Sequence, residues 1–168
     1  MHLEERDTFG QPATAASPPQ EHLHPPVAPP CLMVIFGASG DLTKRKLVPA
    51  LFNMRRSGLL PDQFAVLGVA RQELSSEELR QRVDDDITAC DEPDDPECRS
   101  WLLERVFYLS GDISQPEVYG RIAARAAELD EQYRTGGNHL YYLATAPTLF
   151  AAVVENLGAV GMAAETES

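Results

Sequence analysis

Residues Val34–Phe52 read VIFGASGDLTKRKLVPALF. The stretch decides the fold because it changes period in the middle. The apolar run LMVIFGA, residues 32–38, has no polar alternation, as expected of a parallel strand buried on both faces. After Gly37-Ala38-Ser39-Gly40 the spacing becomes helical, and Leu42, Leu47, Leu51 and Met54 fall near one face. Pro49 predicts a bend or break in that helix, and Gly58 predicts its stop.

The same alternation continues along the chain. Strands are expected at FAVLGVAR (64–71), RVFYLSGD (105–112) and HLYYLAT (139–145). Helices are expected over 41–58, 75–90, 116–134 and 147–162. The second opens on Ser75-Ser76-Glu77-Glu78, a capping box; the third stops at Gly136-Gly137; the fourth starts near Pro147. DEPDDPE (91–97) reads as an acidic loop broken by proline, and the terminal AAETES as frayed. The order β-α-β-α-β-α-β-α defines an α/β domain: a Rossmann-like, doubly wound parallel sheet in three αβα layers with right-handed crossovers. Residues 31–168 form this dinucleotide-binding domain. Residues 1–30 form a disordered leader holding seven of the 13 prolines (Pro12, Pro18, Pro19, Pro25, Pro26, Pro29, Pro30). His22 and His24 in it read as solvated side chains.

Composition narrows the function. A net charge of -12 argues against non-specific binding to nucleic acid or an anionic membrane. No apolar run approaches the ~18 residues of a membrane span, and no secretory signal is visible, so a cytoplasmic protein is expected. Cys31, Cys90 and Cys98 form no CxxC pair and have no histidine at ligand spacing. A Cys90–Cys98 bridge is conceivable, but free thiols fit a reducing compartment better.

A glycine turn between the first strand and first helix of such a sheet is an anion site. Backbone N–H groups and the helix start face the phosphate, and glycine admits it. Gly37 makes the tight turn, Gly40 permits close approach, Ser39 adds a hydroxyl, and Leu42 is expected to pack the helix on the sheet. Ser39 and Thr43 stand where G-x-G-x-x-G has its second and third glycines, so the turn alone is a weak signal. The nucleotide-hydrolase spacing G-x-x-x-x-G-K-[ST] is missing. At the end of the second strand, where an NAD site places an acid, the chain has Arg71-Gln72. A guanidinium there suits the 2′-phosphate of NADP. Lys44, Arg45 and Lys46 are consecutive and cannot all face one way; one of them is free for an anion.

Gly37–Leu47 (GASGDLTKRKL), Pro49–Asn53 (PALFN), Gly68–Gln72 (GVARQ), Tyr141–Ala144 (YYLA) and Pro147–Phe150 (PTLF) together resemble the glucose-6-phosphate dehydrogenase family over roughly residues 32–162. The resemblance implies oxidation of glucose 6-phosphate to the 6-phosphogluconolactone, with hydride passing from C1 to the nicotinamide of NADP. A histidine base held by an aspartate takes the hydroxyl proton. Carried over by position, Gly37, Ala38, Ser39, Gly40, Asp41 and Leu42 line the pyrophosphate. Arg71 takes the 2′-phosphate with Gln72 beside the adenine ribose. Lys46 sits near the nicotinamide and substrate, Asp112 and Ile113 near the adenosine, and Ala144 and Pro147 at the nicotinamide side.

The family's E-K-P segment and its R-I-D-H-Y-L-G-K substrate motif are missing, and His139 is in neither context. The expectation is a coenzyme domain without the substrate domain that holds glucose 6-phosphate and forms the dimer. It would bind NADP without turnover, with NAD use left open and apolar edges exposed. The alternative is a free-standing NADP-binding sensor. A short-chain reductase is set aside because no tyrosine has a lysine four residues on.

Overall fold

The computed structural model describes residues 26–90 and 93–164. The leader up to residue 25, with His22 and His24, lies outside the described residues, as do 91–92 and 165–168. The strands are β1 (Cys31–Phe36), β2 (Phe64–Ala70), β3 (Val106–Ser110) and β4 (His139–Leu143). They form one sheet in the order β3-β2-β1-β4, all parallel. Val34 lies between Leu67 on β2 and Tyr141 on β4.

The period of two sorts each strand between two cores. Met33, Ile35, Phe64, Val66, Val106 and Tyr108 face the layer of α1 (Val48–Arg56), α2 (Ser76–Thr88) and α3 (Pro96–Leu103). Leu32, Val34, Phe36, Ala65, Leu67, Val69, Phe107 and Leu109 face α4 (Glu117–Tyr133) and α5 (Phe150–Ala159). With both faces covered, nothing on β1 can be polar, which is why its sequence does not alternate. Phe36 is fully buried, and its truncation to alanine would cost about 3–5 kcal/mol.

The chain moves outward from β1 to β2 to β3, then returns to place β4 on the other side of β1. Right-handed crossovers require the change of direction to carry α4 to the opposite face. The switch point therefore lies between β1 and β4. β4 is an edge among the described residues, and Leu140 (53%) and Val154 (58%) are exposed beside it, as expected of the domain's uncovered side.

Several expectations change. The segment expected as one helix over 41–58 is helical from Asp41 but opens as a π-helical turn, Thr43–Leu47, before α1. Val48 N–H reaches Thr43 O, and Pro49, with no N–H, sits in the first turn of α1. The wide turn shifts the face that a 3.6-residue period predicts. Leu42 is 46% exposed and Thr43 is buried instead, while Leu47 and Leu51 are buried as expected. The Gly58 stop is present: Gly58 (φ 69°) follows the helix, and Leu59 N–H bonds Met54 O at 2.9 Å. Helix α4 ends at Tyr133 with a left-handed Arg134 as its cap, two residues before the Gly136-Gly137 pair expected to stop it.

The expected loop 91–97 runs into an unforeseen helix, α3. Asp95 caps it by accepting Cys98 N–H at 3.0 Å, and Pro96 occupies the first helical position, where its missing donor costs nothing. Trp101 on α3 stacks on Phe64 with ring centroids 6.1 Å apart, between Arg55 and Arg105 at 4.0 and 4.3 Å. The last helix begins as a 3₁₀ turn at Pro147–Leu149 and ends at Ala159. The three cysteines are unbridged.

Candidate functional site: a crevice at the carboxyl ends of the strands

The C-terminal ends of β1 and β4 are tied together. Ala144 N–H bonds Phe36 O at 2.8 Å, and the next residue on β1's side, Gly37, has φ 89°. A Cβ on Gly37 would lie 2.3 Å from Ala144 O, so only glycine makes this turn. The amides of Gly37 and Ala38 donate to Val69 O, at 2.8 and 3.3 Å, and Gly40 N–H donates to Gly37 O at 3.0 Å. Those three donors are spent on the turn itself. The donors left for an anion are Ser39 and the first-turn amides of Asp41 and Leu42, which a helix cannot satisfy internally. Thr43 Oγ1 donates to Gly37 O at 3.3 Å and closes the turn from below. A small, largely apolar void of ≈ 30 Å³ lies beneath, among Ile35, Ala38, Thr43 and Leu47.

Above the turn lies an open crevice of ≈ 540 Å³. Gly37, Ser39 and Gly40 form its floor. Ala70, Arg71 and Gln72 form one wall, Asp112–Ser114 another, and Ala144–Ala146 with Leu149 the third. Of the residues singled out in the sequence, Gly37, Ser39, Gly40, Arg71, Gln72, Asp112, Ile113 and Ala144 share this space. Ala38, Asp41, Leu42 and Lys46 do not line it. Ala38 is buried beneath, where a Cβ on Gly68 would come within 2.6 Å of its Cβ. Asp41 and Lys46 are exposed on the helical segment beyond. Pro147 follows Ala146 just past the crevice wall.

Tyr108 fixes the wall formed by β2. Its hydroxyl lies 2.7 Å from Gln72 O and 3.1 Å from Ala70 O, and its backbone N–H donates to Ser76 Oγ at 2.9 Å. Burial raises the pKa of this phenol, so it stays a donor. Sequence reading missed Tyr108, Ser114, Thr145 and Ala146. The rule that ligands bind outside the carboxyl ends at a switch point would have found Thr145 and Ala146. Nothing local marks Tyr108.

The electrostatics divide the cations in two. Lys44 pairs with Asp86 (3.3 Å), Arg45 with Asp41 (2.8 Å), Arg80 with Glu77 (3.2 Å) and Arg99 with Asp84 (3.2 Å). Of the three consecutive cations, this leaves Lys46. Among the described residues Lys46, Arg71, Arg82, Arg121 and Arg134 have no carboxylate within 4 Å, in a chain of net charge -12, and of these Arg71 lines the crevice. Asp112 is the carboxyl of the crevice. The backbone N–H and hydroxyl of Ser114, at 3.0 and 2.7 Å, hold its pKa below the usual carboxylate range, with help from Arg71. Among the described residues no histidine or cysteine lines the crevice. His139 lies at the start of β4, against Asp130 (2.8 Å), at the far end of the sheet. The crevice can hold a nucleotide; its one carboxylate, Asp112, is bonded to Ser114, and among the described residues it offers no histidine to take a proton from a bound alcohol.

These features define a nucleotide-binding α/β domain of the doubly wound class: a switch point, a glycine turn over a helix start, and a cation without an ion-pair partner at the end of β2. Residues 34–168 match the family model for the NAD binding domain of glucose-6-phosphate dehydrogenase, and the chain belongs to that family. The glucose-6-phosphate 1-dehydrogenase of Chlamydia muridarum is 40% identical over 134 residues, covering 79% of this chain and 26% of that protein. A crystal structure of the Mycobacterium avium glucose-6-phosphate 1-dehydrogenase superposes with a TM-score of 0.68 at 31% identity, over 80% of this chain and 28% of that one. A glucose-6-phosphate dehydrogenase solved in complex with glucose 6-phosphate gives a TM-score of 0.69 at 32% identity, over 79% of this chain and 28% of that one. The chain thus spans about a quarter of the length of the relatives it matches. Among the described residues no helix is long and apolar enough to cross a membrane, and no cluster of side chains could hold a metal ion.

Proposed function

We propose that this chain is the coenzyme-binding part of an NADP-linked glucose-6-phosphate dehydrogenase. Residues 31–168 act as the dinucleotide domain. The observation that carries the choice of NADP is Arg71, which has no carboxylate within 4 Å in an acidic chain and lines the same crevice as Ser39. An acid in its place would hydrogen-bond the ribose hydroxyls of NAD and repel a 2′-phosphate; a guanidinium attracts it.

The glycine turn receives the pyrophosphate on the amides of Ser39, Asp41 and Leu42. Gln72 and Asp112 flank the adenosine, and Ala144–Ala146 border the nicotinamide. Bound NADP accepts hydride from C1 of glucose 6-phosphate in the assembled enzyme. Lys46, exposed beyond the turn and without a carboxylate within 4 Å, does not line the coenzyme crevice and suits the substrate's side. No histidine base lines the crevice and Asp112 is bonded to Ser114 on the adenosine side; general base catalysis is worth about 10²–10⁴ in rate, so the chain by itself binds coenzyme without measurable turnover. The sugar phosphate and the dimer contact belong to other parts of the relatives' length.

Calorimetric titration of the purified chain with NADP and with NAD tests this reading. NADP should bind more tightly than NAD, and Arg71→Ala should remove the difference. A folded sample that binds neither, or prefers NAD, would overturn it.

A further inference from the structure

Behind the glycine turn lies a second cavity of ≈ 340 Å³, between the π-helical turn and α2. It shares Ser39 and Gly40 with the coenzyme crevice, so the tip of the turn is the wall between the two. Arg82, on the second turn of α2, lines this cavity, and Gln72 lines the crevice. The two side chains meet: Arg82 Nη1 donates to Gln72 Oε1 at 3.0 Å.

Arg82 stands in the run Arg82-Val83-Asp84-Asp85-Asp86, yet it has no carboxylate partner among the described residues. Its charge acts on Asp86 and Glu78 from beyond ion-pair distance, and the three aspartates make their close contacts elsewhere. Asp84 binds Arg99 (3.2 Å), Asp85 accepts from Gln81 Nε2 (3.1 Å), and Asp86 binds Lys44 (3.3 Å). Arg82 instead spends one donor on a neutral amide oxygen. A guanidinium has five N–H donors, so most remain.

The frame that carries it is rigid. Ser75 and Glu78 cap the first turn of α2 reciprocally, at 3.1 and 2.7 Å. Ser76 Oγ and the Tyr108 hydroxyl bind that turn and the Gln72 backbone to the same residue of β3. The backbone that carries Gln72 is therefore tied to the helix that carries Arg82, and the two exposed side chains meet across that frame.

We infer that Arg82 is a second specificity-determining residue for the 2′-phosphate, closing on it from the α2 side while Arg71 closes from the crevice side. The inference rests on the reading of the crevice as an NADP site. A dianionic phosphate beside the Ser39 hydroxyl is matched by two guanidinium groups better than by one. Gln72 aims the second, and because its oxygen is taken by Arg82, its NH₂ end remains to donate to the same phosphate or the ribose.

The test is calorimetric titration of the 168-residue chain and of Arg82→Ala, Arg82→Lys and Arg71→Ala with NADP and with NAD, each variant first checked for unchanged thermal unfolding. Arg82→Ala should weaken NADP binding about tenfold or more, the scale of a hydrogen bond to a charged group, and leave NAD binding unchanged. Arg82→Lys should recover part of the loss. Equal loss for both coenzymes would make Arg82 a support for Gln72 only and overturn the inference. So would undiminished NADP binding by Arg82→Ala when Arg71→Ala is weakened, with the NADP site left standing. Binding of neither coenzyme by the unaltered chain would overturn the NADP reading and this inference with it.

Discussion

A Cβ placed on Gly37 would stand 2.3 Å from the carbonyl oxygen of Ala144. The coenzyme turn is thus built against the neighbouring strand's end, and the switch point closes without room for a side chain. Gly37→Ala meets that carbonyl and also a backbone at φ 89°. The left-handed conformation alone costs about 1–2 kcal/mol for alanine, and the collision adds to it. Urea unfolding should show a loss larger than this figure, together with loss of NADP binding. A stability loss below 1 kcal/mol would mean that β1 and β4 are not held at this distance.

Gly68 plays the corresponding part under the turn. A Cβ there would lie 2.6 Å from Ala38 Cβ and 3.2 Å from Leu79 Cδ2. Gly68→Ala should destabilise by about 1–3 kcal/mol, the usual cost of overpacking. Adding Ala38→Gly should return part of that loss, because it removes the nearer atom, while Leu79 can turn aside. Additive losses in the double variant, measured by thermal unfolding, would show that the two positions do not touch.

What could be read from the chain before its structure follows the range of each interaction. β1 was legible because its burial is written in seven consecutive residues, and Gly37, Gly40 and Arg71 because a turn and a strand end are local. Leu42 was misplaced because a constant helical period was assumed across a π-helical turn. Helix α3 escapes the sequence because Pro96 suggests a breaker, although a proline preceded by Asp95 also starts a helix. Tyr108 reaches Gln72 across 36 residues and Arg82 reaches it across 10, and no periodicity encodes such meetings.

The start of α2 sets a pH dependence. Glu78 is held below its ordinary value of 4.5, first by the Ser75 backbone N–H and then by the Ser75 hydroxyl. The folded state therefore binds a proton at Glu78 less readily than the unfolded chain. The stability from this pair is present above pH 4.5 and is lost as pH falls through the lower, folded value. Glu78→Gln should flatten that part of the curve of stability against pH, and Ser75→Ala should cost about 1 kcal/mol at pH 7. An unchanged acid limb in Glu78→Gln, followed by circular dichroism, would remove the capping box from the account.

Thr145 sits between Ala144 and Ala146 on the crevice wall, and its Oγ1 is buried without a hydrogen-bond partner. Its Cγ2 lies 3.1 Å from where a Gly37 Cβ would be, so the methyl is the packed end and the hydroxyl the costly one. An unsatisfied buried hydroxyl costs about 1–3 kcal/mol, and an apolar group of the same shape removes that cost. Thr145→Val should therefore leave the fold intact and raise stability by about 1 kcal/mol in urea unfolding, since Val keeps the methyl and replaces the oxygen. NADP affinity separates the two roles the hydroxyl could have. If affinity is unchanged while stability rises, Thr145 is packing that tolerates an idle oxygen. If affinity falls, the oxygen is idle only until the nucleotide arrives, and the wall formed by β4 contributes a hydrogen bond as well as a shape.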